Sequence, residues 1–192
     1  MTTTGNPEAP LALAADKDWL QGVRRVPSPN LDVRVADTII DTIVIHGISL
    51  PPKTYGGPYI EHLFTNRLDC NAHPYFQEIS NLRVSAHLLI DRTGQITQFV
   101  PFTTRARHAG VSVFQGRTDC NEYSIGIELE GCDDEAYEQC QYEMLAKVIR
   151  ILRQHWPAIT PDRIVGHSAI APDRKTDPGP AFDWEYFFSL IG

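Results

Sequence analysis

Three side chains capable of chemistry lie close together in one segment near the C-terminus. Residues 166–179 have the sequence GHSAIAPDRKTDPG, which places an imidazole at His167, an ammonium at Lys175 and a carboxylate at Asp177. Its prolines and its final glycine stop this segment from continuing as a helix or strand, so we expect a stiff loop that folds back over His167. Imidazole nitrogens and carboxylate oxygens are both common ligands of zinc in proteins.

Two apolar segments are expected to carry the histidines of such a site. Residues 163–166 lead into His167, and the β-branched residues 42–45 end on His46. Each segment is typical of a short buried strand. Two histidines at strand ends and Asp177 on a loop predict a zinc site with three protein ligands and one open position for water. A structural role is the simpler interpretation of either histidine alone, because the chain has seven histidines and lacks an HExxH motif.

Two glutamates fall on one face of the strand expected at residues 123–131. Because strand side chains alternate between the two faces, the isoleucines and the leucine of this segment share one side. The opposite side carries Gly126, Glu128 and Glu130. This second face is either exposed to solvent, or it places one of the glutamates against a water molecule bound to the metal.

Length and charge limit the class of protein. The chain has 192 residues and a formal net charge of −7, and its sequence pI is about 5.4. We expect one domain covering residues 1–192, with residues 1–15 as a flexible tail. The acidic balance argues against nucleic acid as a partner, although it allows an anionic substrate where arginines gather at a cleft.

The sequence also bears on the membrane and the redox state. Its apolar runs stay well short of the ~20 residues that a membrane-spanning helix needs. The apolar stretch at residues 9–15 follows no lysine or arginine, so an export signal is not expected. We therefore expect a cytoplasmic protein without a membrane partner. Its four cysteines form no CxxC pair and are expected to be thiols.

The order of the expected elements predicts an α/β (α+β) protein. Strands are expected at residues 39–45, 84–90, 95–100, 123–131 and 163–166, with a hairpin turn at 91–94. Helices are expected at residues 16–25, 59–66 and 135–155, and a last helix is expected to be capped by Asp183. Strands that alternate with helices favour a sheet with helices packed against it.

Six segments together carry a resemblance to a known family. They are RVPSP at 25–29, VIHGISLPP at 44–52, NAHPYF at 71–76, RVSAH at 83–87, YSIGIELEG at 123–131 and RKTDPGP at 174–180. Over residues 19–191 the chain resembles the zinc-dependent N-acetylmuramoyl-L-alanine amidases of type 2, which are related to peptidoglycan-recognition proteins. The resemblance implies a single domain with a central mixed β-sheet flanked by helices.

The resemblance also implies roles for individual residues. It implies one zinc ion per chain, held by His46, His167 and Asp177, which are the ligands expected above from the residues themselves. It places the catalytic glutamate on Glu128. Lys175 then corresponds to the family's lysine and is expected to stabilise the oxyanion together with zinc.

The implied reaction is hydrolysis of an amide bond in a muropeptide. The bond joins (1,6-anhydro-)N-acetylmuramic acid to the L-alanine of the stem peptide, and the reaction belongs to peptidoglycan recycling in the cytoplasm. Arg83 corresponds to a substrate-contacting arginine of the family, and Arg117 is a second candidate for binding a substrate carboxylate. The expected partner is an anhydromuropeptide, and a monomer is the default expectation.

Three positions depart from the family pattern in loops expected to border the substrate cleft. Gly47 stands where asparagine is usual, Arg107 where tryptophan is usual, and Asp119 where arginine is usual. We expect these changes to affect specificity and not the chemistry. The main alternatives are a module that binds peptidoglycan without cutting it and a sensor of muropeptides; the complete ligand set favours an enzyme. A serine hydrolase is disfavoured because the chain lacks a GxSxG motif.

Overall fold

The structure, a computed structural model, describes residues 11–192. In chain order, strands β1 to β12 are Ala12–Leu13, Leu20–Gln21, Arg24–Arg25, Leu31–Asp32, Thr42–Ile48, Leu88–Ile90, Ile96–Gln98, Arg105–Ala106, Val113–Phe114, Arg117–Thr118, Ser124–Glu130 and Ile164–Gly166. Helices α1 to α5 are Tyr59–Phe64, Phe76–Ile79, Gln139–His155, His167–Ile170 and Trp184–Ile191.

A mixed six-stranded sheet forms the centre of the fold, as expected for the α/β class. Its strand order is β12-β5-β11-β6-β7-β3. The strands from β12 to β6 are parallel to one another, β6 and β7 form the expected antiparallel hairpin, and β3 closes the far edge parallel to β7. The parallel half of this sheet carries the residues that matter for chemistry.

Strands β5 and β11 lie side by side in the middle of the parallel half. Both are rich in β-branched and other apolar residues, and every residue of β11 is buried. Near-continuous burial is typical of parallel strands that are covered on both faces. Their register pairs His46 with Glu128, so these two side chains are neighbours on the same face of the sheet.

Helices α3 and α5 cover one face of the sheet. The N-terminus of α3 is held by a capping box in which the Gln141 side chain accepts from the backbone N–H of Glu138 at 3.0 Å. Helix α5 begins at its expected cap, because Asp183 Oδ1 accepts from the backbone N–H of Tyr186 at 2.8 Å. The apolar stripes of both helices belong to the main core, which fixes the sheet beneath them.

The prediction of a helix at residues 16–25 is wrong. This segment instead forms β2 and β3, and β3 pairs with β7. Gly22 lies between the two strands with φ of +74°, a left-handed conformation that interrupts a helix. The expectation that His46 ends its strand also needs correction, since β5 continues to Ile48.

The tail expected at residues 1–15 falls within the described part of the chain only at residues 11–15. Residues 1–10 lie outside the described part of the chain. Of the remainder, Leu11 and Leu13 pack against the main core, and β1 pairs with β2. Within residues 11–192, no helix combines the length and apolar character needed to span a membrane. All four cysteines are free thiols, as expected.

Acid should destabilise the protein in part through His87. This side chain is fully buried: its Nδ1 accepts from the backbone N–H of Gly126 at 3.0 Å, and its Nε2 faces the carbonyl oxygen of Thr104 at 3.1 Å. Burial, helped by the charge of Arg34, lowers the pKa of His87 to about 3. The unfolded chain therefore takes up a proton at His87 as the pH falls below about 6.5, whereas the folded chain does not.

We expect the free energy of unfolding to fall with pH between about 6.5 and 3, with this residue contributing at most about 1.4 kcal/mol per pH unit. Urea unfolding of the wild type and of His87→Gln at pH 7 and pH 5 measures this contribution. The variant should lose less stability than the wild type between the two pH values. Equal losses would contradict the assignment.

Candidate metal and catalytic site

Three potential ligand atoms meet in one small space. His46 Nδ1 lies 2.9 Å from His167 Nδ1 and 3.2 Å from Asp177 Oδ2, and His167 Nδ1 lies 3.1 Å from the same carboxylate oxygen. Ligand atoms around a tetrahedral zinc ion at ~2.0–2.1 Å are about 3.3 Å apart. The spacing and the donor types therefore fit a single zinc ion, so the three residues expected to form the site do converge.

Neighbouring elements bring these three residues together. His46 lies in β5, and His167 is the first residue of α4, directly after β12, which pairs with β5. Asp177 returns to the site on the expected loop, which is tied back by the hydrogen bond from Ser168 N to Asp177 O at 3.0 Å. Residues far apart in the sequence thus become neighbours through strand pairing and one hydrogen-bonded loop.

Tyr137 holds the ligand loop from the other side. Its hydroxyl donates to the carbonyl oxygen of Pro178 at 3.0 Å. A Cβ at Gly47 would lie 2.3 Å from that hydroxyl, and a Cβ at Gly131 would lie 2.4 Å from the tyrosine ring. The unusual Gly47 therefore makes room for Tyr137 beside the ligand His46.

Burial and hydrogen bonding set the charges of His46 and Asp177. Burial lowers the pKa of His46 to about 4, so this imidazole is neutral near pH 7, which is the form that binds metal. Burial alone would raise the pKa of Asp177, but the imidazoles of His167 and His46 hold that pKa below its usual range. The site thus combines a neutral imidazole with a carboxylate anion.

Glu128 points an unpaired carboxylate oxygen into the site. The residue is buried, and its Oε2 has no hydrogen-bond partner among the described residues. Burial, together with the charge of Asp177, raises the pKa of Glu128 well above its usual value, while Lys175 opposes the increase. A buried polar atom without a partner is costly, which fits an oxygen that interacts with water or substrate.

Glu130 has a different environment from Glu128. Its Oε1 accepts from the backbone N–H of Gly56 at 2.6 Å, and its Oε2 accepts from that of Arg92 at 3.3 Å. It therefore ties the loop after β5 to the turn between β6 and β7. Both glutamates are buried, so this face of β11 is not a solvent-exposed surface.

A cavity of about 530 Å³ opens over these residues. The chemistry-bearing residues of its lining are His46, His108, Glu128, His167, Lys175 and Asp177. The apolar and aromatic residues of the lining include Leu63, Phe64, Tyr75, Ile79, Leu82 and Val84. The cavity can therefore hold a ligand of moderate size that has both apolar and polar parts.

Three arginines, Arg83, Arg107 and Arg117, have different surroundings. Among the described residues that line the cavity, the arginine is Arg107, which also forms a two-point ion pair with Asp32 at 2.7 and 2.8 Å. Arg83 lies next to lining residues but directs one guanidinium nitrogen to the carbonyl oxygens of residues 80 and 82. Arg117 pairs with Asp41 at 2.6 Å and is not among the described residues that line the cavity.

A second group of possible ligands is formed by Cys132, Asp134 and Glu135. Its carboxylates already have partners, because Lys53 Nζ contacts Asp134 at 2.6 Å and the hydroxyl of Tyr55 donates to Glu135 at 2.8 Å. Both Lys53 and Asp134 are exposed to solvent. The buried histidine site is the better metal site.

His108, Asn121 and Tyr137 support the site, and no motif in the sequence assigns these roles to them. Asn121 Oδ1 accepts from the backbone N–H groups of His108 and Ala109 at 2.9 and 2.7 Å. The signal that the sequence does contain is a glycine within a strand, at positions 47 and 126. Such a glycine indicates that another group approaches the strand closely, and here the groups are Tyr137 and His108.

Known proteins resemble this chain along most of its length. The family model described as N-acetylmuramoyl-L-alanine amidase matches residues 36–180. The 1,6-anhydro-N-acetylmuramyl-L-alanine amidase AmpD of Salmonella typhimurium is 58% identical over 176 residues, which are 92% of this chain and 94% of that protein.

Solved structures agree in fold. A crystal structure of a selenomethionine derivative of AmpD superposes with a TM-score of 0.89 at 55% identity, covering 92% of this chain and 98% of the other. The amidase AmiD of E. coli, solved with its substrate anhydro-N-acetylmuramic acid-L-Ala-D-γ-Glu-L-Lys, superposes with a TM-score of 0.58 at 27% identity. That match covers 82% of this chain and 60% of AmiD.

Proposed function

This chain belongs to the N-acetylmuramoyl-L-alanine amidase family and is an amidase, and we propose that its substrate is an anhydromuropeptide. The bond cut joins 1,6-anhydro-N-acetylmuramic acid to the L-alanine of the stem peptide. The observation that carries the proposal is Glu128 Oε2, which has no hydrogen-bond partner among residues 11–192 and lies in a cavity shared with His46, His167 and Asp177. The substrate class is supported by the high identity to AmpD over nearly its whole length.

We propose one zinc ion per chain, held by His46 Nδ1, His167 Nδ1 and Asp177 Oδ2. Zinc in such a site acts as a Lewis acid that polarises a carbonyl and lowers the pKa of a water molecule to about 7. The three ligand atoms have the donor types and the spacing that zinc prefers.

Glu128 and Lys175 have separate roles in the proposed hydrolysis. Glu128 takes the proton of the attacking water and passes it to the nitrogen of the leaving L-alanine, which departs as a free amine. Lys175 stabilises the negative charge that develops on the oxygen of the scissile carbonyl. Both side chains line the same cavity, so a single bound amide can reach them together.

Substrate carboxylates would be bound at the rim. Arg107 lines the cavity and is the stronger candidate, while Arg83, beside the lining residues Leu82 and Val84, remains a second one. Arg107 already engages Asp32 through two nitrogens, the geometry with which a guanidinium binds a carboxylate. We further propose a single domain that acts as a monomer in cytoplasmic peptidoglycan recycling.

A module that binds peptidoglycan without cutting it is the main competing function. Such a module needs the cavity but gives no reason for the buried carboxylate of Glu128 beside three potential metal ligands. Burying a carboxylate costs stability, and catalysis accounts for the cost. The geometry therefore favours hydrolysis over binding alone.

Product analysis tests the proposed function directly. The zinc-loaded protein is incubated with anhydro-N-acetylmuramyl tripeptide, and the products are identified by mass spectrometry. We expect anhydro-N-acetylmuramic acid and a peptide with a free L-alanine amine, with cleavage lost after chelation and restored by added zinc. The same peptide on a non-anhydro sugar reports the strictness for the anhydro ring. Binding without cleavage, or cleavage between amino acids, would contradict the proposal.

A further inference from the structure

The two imidazoles of the proposed metal site each direct the second ring nitrogen, Nε2, onto one short loop. His46 Nε2 lies 2.9 Å from His108 Nδ1, and His167 Nε2 lies 3.1 Å from the backbone carbonyl oxygen of Ala109. A carbonyl oxygen only accepts hydrogen bonds. His167 therefore carries its proton on Nε2 and leaves the lone pair of Nδ1 free for the metal.

A line of polar groups selects the same tautomer in His46. Ser124 Oγ donates to the carbonyl oxygen of Cys120 at 2.5 Å, so its oxygen is left to accept from His108 Nε2 at 3.1 Å. A neutral imidazole has one donor and one acceptor nitrogen, so His108 Nδ1 accepts from His46 Nε2–H. His46 Nδ1, the nitrogen that faces the site, is then the unprotonated one.

The loop that carries these acceptors is itself held in place. Asn121 is buried, and its Oδ1 accepts from the backbone N–H groups of both His108 and Ala109. The ring of His108 lies over Gly126 of β11, where a Cβ would come within 2.4 to 2.7 Å of three ring atoms. Glycine at this position leaves the space that the ring occupies.

We propose that His108 is a positioning residue that fixes His46 in the Nε2–H tautomer and thereby increases zinc affinity, with Ser124 behind it. Ala109 does the same for His167 through its backbone carbonyl. Groups that orient a metal-binding imidazole are typically worth 10–100-fold in metal affinity. This inference rests on the proposed metal site but is independent of the proposed substrate.

Two substitutions at one position separate hydrogen bonding from packing. In His108→Asn the side-chain oxygen can take the place of Nδ1 as acceptor, whereas His108→Leu fills part of the space without an acceptor. Zinc dissociation constants are measured by competition with a chromophoric chelator. We expect His108→Leu to bind zinc about 10–100-fold more weakly than the wild type, and His108→Asn to recover most of the loss. Unchanged affinity in His108→Leu, or equal losses in both variants, would overturn the proposal.

A measurement on the unmutated chain avoids any folding defect of the variants. Long-range ¹H–¹⁵N correlation spectra of the metal-free protein distinguish the imidazole tautomers. We expect the Nε2–H form for His46, and the Nδ1–H form would overturn the proposal. A protein that shows the Nε2–H form but binds no zinc would contradict the proposed function while supporting this positioning of His46.

Discussion

Replacing Glu128 with glutamine should lower kcat by about 100- to 10,000-fold, the usual contribution of general acid–base catalysis. Glutamine keeps the shape of the side chain but cannot take a proton from water. Because Glu128 is not one of the three converging ligands, zinc content and KM should change little. Steady-state kinetics on anhydromuropeptide and metal analysis of the same sample check this prediction.

Glu130 provides the matched control on the same strand face. Its carboxylate accepts from two backbone N–H groups, and a glutamine there keeps one accepting oxygen. The kcat of Glu130→Gln should therefore stay within about tenfold of the wild-type value, well above the kcat of Glu128→Gln. If the two variants lost activity equally, or if Glu128→Gln stayed fully active, the general-base role of Glu128 would be untenable.

Removing a ligand should have the second large effect. Asp177→Ala deletes the one anionic donor of the site and leaves two buried imidazoles that cannot complete a three-ligand site. We expect zinc content to drop to a small fraction of the wild-type value and hydrolysis to become undetectable, because catalytic zinc requires three protein ligands. Elemental analysis after dialysis, followed by the product assay, measures both effects.

Asp173→Ala is the control in the same loop. Its carboxylate is exposed and belongs to neither group of potential ligands. The control should keep both zinc and activity. An Asp177→Ala protein that retained stoichiometric zinc would show that the ion is held elsewhere.

The fold was predictable where side-chain periodicity was strong. The continuous apolar residues of β5, the alternating residues of β11 and the long apolar stripe of α3 set those elements, and the antiparallel hairpin followed from its turn at residues 91–94. The segment at 16–25 failed because its apolar spacing fits a helix while Gly22 adopts a left-handed conformation. The local sequence pattern cannot reveal that Arg24 and Arg25 pair with β7, which lies far along the chain.

The metal ligands were predictable from residue type and position in the sequence, but the contacts around them were not. His46, His167 and Asp177 could be chosen because they follow or interrupt apolar strands beside a stiff loop. The ion pair of Arg117 could not be predicted from the sequence, because tertiary structure brings its partner Asp41 close. The role of His108 was equally hidden, because it depends on three segments meeting in space.

The position of the metal tests the proposed three-ligand site directly. Crystals of the zinc-loaded protein, measured on both sides of the zinc absorption edge, locate the ion by its anomalous scattering. We expect one strong peak about 2.0–2.2 Å from His46 Nδ1, His167 Nδ1 and a carboxylate oxygen of Asp177. No peak there, or a peak held instead by Cys132 and its acidic neighbours, would contradict the proposed site.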